Sequence, residues 1–487
     1  MTGTESNNMS KSLKINVILN IIKTLCQVIF PIITIPYISR TLGTENYGKV
    51  NYSASIISYF SLFATFGINN YAMREGPRIR DNKKKFLHFS NQLFAITITT
   101  SLASIIILFI IIKVFRFDKD CQTLLLIQGT AIIFTALGTD WINTIFEDYT
   151  YIALRYICIQ IISLMLLVLL VKTNKDFLIY VIILTLASSG ANLLNIIYIR
   201  KYIYLKPRFT SETIRHFRSM LILVGYSFTL TIYVNSDITL LGILKGDIDV
   251  GIYSIATKIY LVIKQVLNAG IIVTVPRIAS LLGKKNRNAY EALLHSVIDF
   301  LTVIIFPAMI GVFMLSKNIV ILVSGKEYLN AYLPLKILSI SLCFAVLGCF
   351  LSNCILLPNK KDKEMLAATL SGCIINLILN FIVIPLFSYV GTATTTLLAE
   401  IVVFFICFLK SRYIVIVRIN LKNLISVIMG CCFIIATCVF AQIYVTGLVL
   451  STIISIGISG LGYGLILIIF RNSVIMDFIK KFQKNIK

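Results

Sequence analysis

The chain has 487 residues, 57% of them hydrophobic, a mean hydropathy of +0.89 and a formal net charge of +24. So apolar a composition excludes a soluble globular protein of this size. The charge excludes little by itself, since basicity serves nucleic-acid binding and membrane topology alike, and only its distribution along the chain separates the two.

A membrane-spanning helix needs about 20 predominantly apolar residues. About fourteen such segments are predicted, at 15–37, 49–71, 89–113, 122–146, 150–171, 177–199, 219–242, 252–276, 294–316, 332–357, 365–387, 391–410, 421–444 and 447–470. Pro31 and Pro36 predict a bend in the first. That segment is too long for a signal-peptide core, contains Lys23 and lacks a small-residue cleavage site, so it reads as a retained span. The fold class is therefore all-α polytopic membrane protein.

With the N-terminus inside, the inner connections carry about two thirds of the 45 Lys and Arg. They include Arg74 to Lys85, Arg200 to Arg218, Lys284 to Arg287, Lys360 to Lys363 and the tail from Lys480 to Lys487. This bias predicts cytoplasmic termini and accounts for the basicity through topology and anionic lipid, with no nucleic acid. The 11 cysteines lie mostly inside apolar spans and show neither zinc spacing nor a disulfide framework. They read as small packing residues.

The chain repeats itself weakly at an offset near 200 residues. Tyr52-Ser53-Ala54-Ser55 corresponds to Tyr253-Ser254-Ile255-Ala256, and Pro77-Arg78-Ile79 to Pro276-Arg277-Ile278, each triplet followed by lysines. Six spans per copy give two lobes of parallel topology. The expected division is 1–205 for the first lobe, 206–412 for the second, and 413–487 for two further spans and a basic tail.

Polar stripes mark three spans at helical spacing: Asn16, Asn20, Lys23, Thr24 and Gln27; Ser227, Thr231 and Asn235; and Thr369, Cys373, Asn376 and Asn380. Interhelical hydrogen bonding would explain each alone. Their place in the first helix of both lobes favours a shared aqueous lumen. A charge at the centre of a spanning helix costs about 2.5–3.5 kcal/mol on insertion scales, so such residues face a pathway or a partner. The cations expected to meet an anionic substrate are Lys23, Lys258 and Lys264, with Arg40 and Lys49 flanking the first outer loop and suited to snorkelling. The anions Asp140, Asp237, Asp299 and Glu400 are candidates for charge balance or coupling, with Asp140 and Asp299 placed to be solvated or structurally paired.

No G-x-x-x-x-G-K-[ST] or H-E-x-x-H occurs, the three His read as surface residues, and the outer loops are short. The expectation is a transporter and not an enzyme.

Several stretches resemble one family. They are FPIITIPYISRTLGTENYGKVNY at 30–52, FGINNYAMRE at 66–75, Asp140-Trp141, EDYTYI at 147–152, NSDITLLG at 235–242, VGIYSIATK at 250–258 and GTATTTLLAE at 391–400. Together they make the chain, over roughly 14–412, similar to bacterial Wzx-type polysaccharide (oligosaccharide-lipid) flippases of the MOP superfamily. The resemblance implies a V of two six-helix lobes that works by alternating access in the bacterial cytoplasmic membrane. It implies a substrate of undecaprenyl-pyrophosphate bearing an oligosaccharide, with membrane lipids and polysaccharide polymerase machinery as partners. By position it points to Lys23, Lys49 and Lys258, where related lipid II flippases typically carry Arg. Lys23 and Lys258 would then take the pyrophosphate, and Asn20, Gln27, Asn235, Asn376 and Asn380 the sugars. No cofactor is expected beyond a coupling ion, H⁺ or Na⁺. The alternative is a cation-coupled multidrug exporter of the same superfamily.

Overall fold

A computed structural model of the chain describes the backbone over 2–486 except 116, 418 and 419, and side chains over 22–480 except those and 219, 222, 223 and 226. Among the described residues the regular structure is helical. Contacts divide the chain into two units, Met1–Gly242 and Ile243–Lys487. That division follows packing, whereas the expected boundary at 205/206 follows sequence repetition.

The first unit contains α1 (Thr2–Thr65), α2 (Ile68–Glu75), α3 (Lys83–Val114), α4 (Lys119–Gly138), α5 (Asp140–Ile145), α6 (Tyr149–Leu170), α7 (Phe177–Thr185), α8 (Ala191–Tyr198) and nearly all of α9 (Ser211–Lys245). An unbroken α1 would be roughly 95 Å long, three times the hydrocarbon thickness. It reverses at Gly43, whose φ of 76° and ψ of 173° suit a residue without a Cβ. The contacts trace both arms. Lys23 lies beside Tyr156, and the Tyr37 hydroxyl donates to the Val171 carbonyl at 2.7 Å, so the first arm runs alongside α6. The second starts where Lys49 meets Asp120 and returns to the opposite end. The chain thus turns at Gly43, beyond the two prolines.

At that opposite end Phe66, Tyr71, Phe86, Phe89, Trp141 and Met220 form a buried cluster beneath the basic segments. Arg80 donates to the Ile145 carbonyl and to Glu147, and Lys201 to Asp148, so loop carbonyls and carboxylates absorb part of that charge. His216, expected at the surface, is half-buried here. It contacts the Tyr71 hydroxyl at 2.7 Å and Gln92 at 3.0 Å. Burial lowers its pKa, partly opposed by Glu212.

The second unit holds α10 (Asp247–Gly283), α11 (Arg287–Ser324), α12 (Tyr332–Phe350), α13 (Asp362–Arg412), α14 (Leu421–Tyr444), α15 (Leu448–Ile469) and α16 (Ser473–Ile486). α13 is also two crossings, broken at Ser388, where φ is 49°. The Thr395 hydroxyl donates to Asn380, a pairing symmetric about the break, so the arms lie side by side. Twelve helices among the described residues are long and apolar enough to span a bilayer. Two of them, each reversed on itself, bring the crossings to the fourteen expected.

Small residues set the closest approaches, as is usual where lipid supplies no hydrophobic drive. A Cβ on Gly462 would fall 1.9 Å from the Phe433 ring, and one on Gly430 2.4 Å from Tyr463, so α14 and α15 interlock through glycines. In the α13 hairpin a Cβ on Gly391 would sit 2.8 Å from the Val383 carbonyl oxygen, which cannot rotate away. Gly391→Ala is therefore expected to lower stability by about 1–3 kcal/mol, read as a fall in the unfolding temperature of the detergent-purified protein. An unchanged temperature would show that the arms separate freely.

The repeat is not matched in local structure. Pro77-Arg78 lies in a short 3₁₀ turn after α2, whereas Pro276 and Arg277 lie inside α10, which continues to Gly283.

Candidate functional site

The intramembrane charges separate into those neutralised within the fold and those that are not. In the second unit the Lys264 Nζ sits 2.8 Å from the Glu400 Oε1, with side chains 24% and 9% exposed. Lys264 also lies over the Tyr260 ring, 5.4 Å from its centroid, and Tyr260 reaches the Ser341 hydroxyl at 3.5 Å. A candidate substrate cation and a candidate coupling anion are thus each other's partner. The pair carries no net charge and is held by three helices, α10, α12 and α13.

The stripe on α13 is likewise turned inward. Asn376 and Asn380 are fully buried; the Asn380 amide donates to the Asn376 oxygen at 3.2 Å and its own oxygen accepts from Thr395. These bonds within one hairpin are the interhelical reading of the stripe. Asp299 accepts from the Asn423 side chain at 2.9 Å, and Asn423 also donates to Ser473 at 2.7 Å, so this carboxylate ties α11 to α14 and the start of α16. Lys258 is half-buried on α10.

In the first unit Lys49, expected to snorkel, is only 14% exposed and pairs with Asp120 at 2.9 Å and Glu45 at 3.1 Å. Arg40 is exposed beside the Gly43 turn. On α9 the Asn235 amide donates to the Thr231 carbonyl of its own helix at 3.0 Å, while Asp237 is buried. Asn20 lies outside the described side chains, and Gln27 is exposed.

Lys23 differs from the other deep charges. It is half-buried, its Nζ lies 6.0 Å from the Tyr156 ring centroid, and among the described residues it makes no ion pair.

Asp140 has a partner that the sequence reading omitted. One guanidinium nitrogen of Arg155 donates to both carboxylate oxygens at 2.7 and 2.8 Å, and the Asn195 amide adds 2.9 Å. Arg155 is 7% exposed and Asp140 41%. The signal was present, because Arg155 lies within the predicted span 150–171, where an ionised side chain pairs with another charge, a backbone carbonyl or water. Beside this pair is a cavity of about 80 Å³ lined by Thr65, Asn69, Thr97, Thr135, Thr139 and Asn192. It sits where backbone continuity breaks twice, at Phe66-Gly67 and at Thr139, all with positive φ. Irregular backbone at such a position is tolerated where protein or water satisfies it.

None of the 11 cysteines forms a disulfide in this structure, and six of them are buried.

Two family models match the chain. The first, described as polysaccharide biosynthesis protein, covers residues 13–282, and the second, MatE, covers 223–382. A candidate O-antigen transporter of Escherichia coli (strain K12) is 24% identical over 425 residues, 85% of this chain and 99% of the relative. Among solved structures, the lipid II flippase MurJ in an inward-closed conformation gives a TM-score of 0.76 at 16% identity, covering 95% of this chain and 99% of that one. An inward-facing multidrug resistance transporter of the MATE family, in the MOP superfamily, gives 0.57 at 13% identity, covering 81% and 97%. These structures share the fold, an all-helical polytopic membrane architecture. With a family model spanning more than half of its length, the chain belongs to the polysaccharide biosynthesis protein family.

Proposed function

We propose that this protein flips undecaprenyl-pyrophosphate-linked oligosaccharide repeat units across the bacterial cytoplasmic membrane by alternating access, with both termini in the cytoplasm. The relative that supports this over nearly its whole length is a candidate O-antigen transporter. The observation in the molecule that carries the reading is Lys23. It is a cation deep in an apolar helix, and no carboxylate among the described residues neutralises it, whereas Lys49, Arg155 and Lys264 are all paired. An unneutralised lysine within the membrane is stabilised when an anion arrives, and phosphate suits its compact charge. Lys258, on the same reading, takes part in the same step. Because Lys264 and Glu400 satisfy one another, they position helices and do not receive the headgroup.

In a gene deletion, complete lipid-linked repeat units should accumulate in the membrane, as measured by mass spectrometry. The wild-type gene should reverse this and Lys23→Ala should not, at equal protein level, while Lys23→Arg should retain part of the function. Full export by Lys23→Ala would remove this residue from the mechanism. The MatE match over 223–382 favours a second reading, export of cationic drugs. Altered drug sensitivity in the deletion strain without lipid accumulation would select it.

A further inference from the structure

Three spans of the first unit, all running towards the basic segments, lose regular helix at one level. The second arm of α1 ends at Thr65 and resumes as the eight-residue α2 after Phe66 and Gly67, both with positive φ. α4 ends at Gly138 and resumes as the six-residue α5 after Thr139, whose φ is 41°. Between α7 and the eight-residue α8 the chain makes a π turn, Leu186–Gly190. Independent kinks in three helices need not coincide in depth. These meet at the cavity of about 80 Å³ beside Asp140, which is lined by Thr65, Asn69, Gly138, Thr139 and Asn192. A Cβ on Gly138 would fall 2.6 Å from the Asn192 side chain, so the end of α4 and the first turn of α8 touch there.

The pieces beyond the breaks are fastened to one another. Ile68, Tyr71 and Ala72 of α2, Trp141, Ile142 and Ile145 of α5, and Ile199 just past α8 share one buried cluster with Phe86 and Phe89 of α3. A Cβ on Gly76 would lie 2.2 Å from Ile145, so the packing there is close. The Asn143 amide donates to the Asn195 oxygen at 2.6 Å, with both residues fully buried, and Asp148 accepts from Tyr198 and Lys201 at 2.7 Å each. α2, α5 and α8 thus form a single cap. α3 passes unbroken from Phe86 in the cap to Thr97 at the cavity and beyond, so it tethers the cap to the rest of the unit.

The cavity beneath the cap is polar and roomy. The Thr65 and Thr97 hydroxyls donate to carbonyls of their own helices and keep lone pairs free, while the Thr139 hydroxyl is buried with no protein partner. The volume is several times what one water needs, and a buried hydroxyl without a partner is costly, so water occupies it. Each break also removes the i→i−4 bonds that stiffen a helix, which concentrates compliance at this level. We infer that the cavity is a hydrated pivot: water held at Thr139 and the neighbouring threonine and asparagine side chains completes the three breaks, and α2, α5 and α8 tilt on it as one body, with α3 as the strut. Short breaks at element ends are where hinge motions are absorbed. The inference holds for a flippase and for an exporter alike.

The test is pulsed electron–electron resonance on the full chain in lipid nanodiscs, with nitroxides carried by genetically encoded residues so that the native cysteines stay in place. One pair spans the pivot, at the exposed positions Met73 on α2 and Leu126 on α4. Two control pairs do not: Met73 with Leu87 inside the cap, and Leu126 with Leu169 below it. A tilt of about 15° moves the far end of an eight-residue helix, about 12 Å away, by about 3 Å. The spanning pair should therefore give a distance distribution broader than either control by about that amount. Thr135→Leu, which fills the cavity and expels its water, should narrow the spanning pair to the width of the controls. An unfolding temperature equal to wild type certifies the fold of this variant, and Thr65→Leu, at another wall of the cavity, replaces it if it fails. A spanning pair as narrow as the controls, a cap pair as broad as the spanning pair, or a width unchanged in the folded leucine variant would overturn the inference.

Discussion

Glu400→Gln is expected to destabilise the second unit by about 3–5 kcal/mol, the cost of leaving a buried charge without its partner. The geometry makes the loss one-sided. Lys264 reaches Glu400 at 2.8 Å from a position only 24% exposed, so little solvent is at hand to replace the carboxylate when it is gone. It must either lose its proton or open a path for water between α10 and α13, and both cost free energy. The double variant Lys264→Met with Glu400→Leu should recover most of the loss, since a well-packed apolar pair is often as stable as the ion pair it replaces. Thermal unfolding of the detergent-purified proteins distinguishes the possibilities. If Glu400→Gln unfolds at the wild-type temperature, Lys264 has another acceptor and the pair is not the structural unit described here. The same measurement bears on function: a folded double variant that still exports would confirm that neither residue receives substrate.

The sequence made some of this legible and hid the rest for identifiable reasons. Apolar length alone marked the crossings, because in lipid every backbone polar group must be satisfied within a helix. It separated 15–37 from 49–71 although α1 runs through the first and into the second as far as Thr65, since Gly43, Thr44 and Glu45 interrupt the apolar run. The charged positions were legible as positions, not as partners. Lys264 and Glu400 are 136 residues apart, and nothing in one sequence says which anion a buried cation meets. The stripe on α13 had the spacing of a lumen face, but spacing fixes a side of a helix and not its neighbour; the hairpin at Ser388 decided the neighbour. α16 lay hidden in the basic tail, because a count of lysines masks the periodicity of the apolar residues between them. Arg155 was missed although it lies within an apolar span, in the second turn of α6.

That omitted pair supplies the second large effect, and its asymmetry is the informative part. Asp140→Ala should cost about 3–5 kcal/mol, because Arg155 is 7% exposed and its Nε and Nη1 already lack protein partners. With the carboxylate removed, the guanidinium would keep a full charge and none of its present hydrogen bonds. Arg155→Leu should cost less, about 1–2 kcal/mol. Asp140 is 41% exposed, retains the Asn195 amide, and adjoins a polar cavity with room for water. The two single variants break the same bond, so the difference between them measures which partner the surroundings can rescue. Equal losses in thermal unfolding would mean that water reaches Arg155 as readily as Asp140. The consequence reaches any transport assay: a loss of this size lowers the amount of folded protein in the membrane before it touches the transport step. An export defect in Asp140→Ala therefore assigns a coupling role to the carboxylate only if Arg155→Leu, at matched protein level, exports normally.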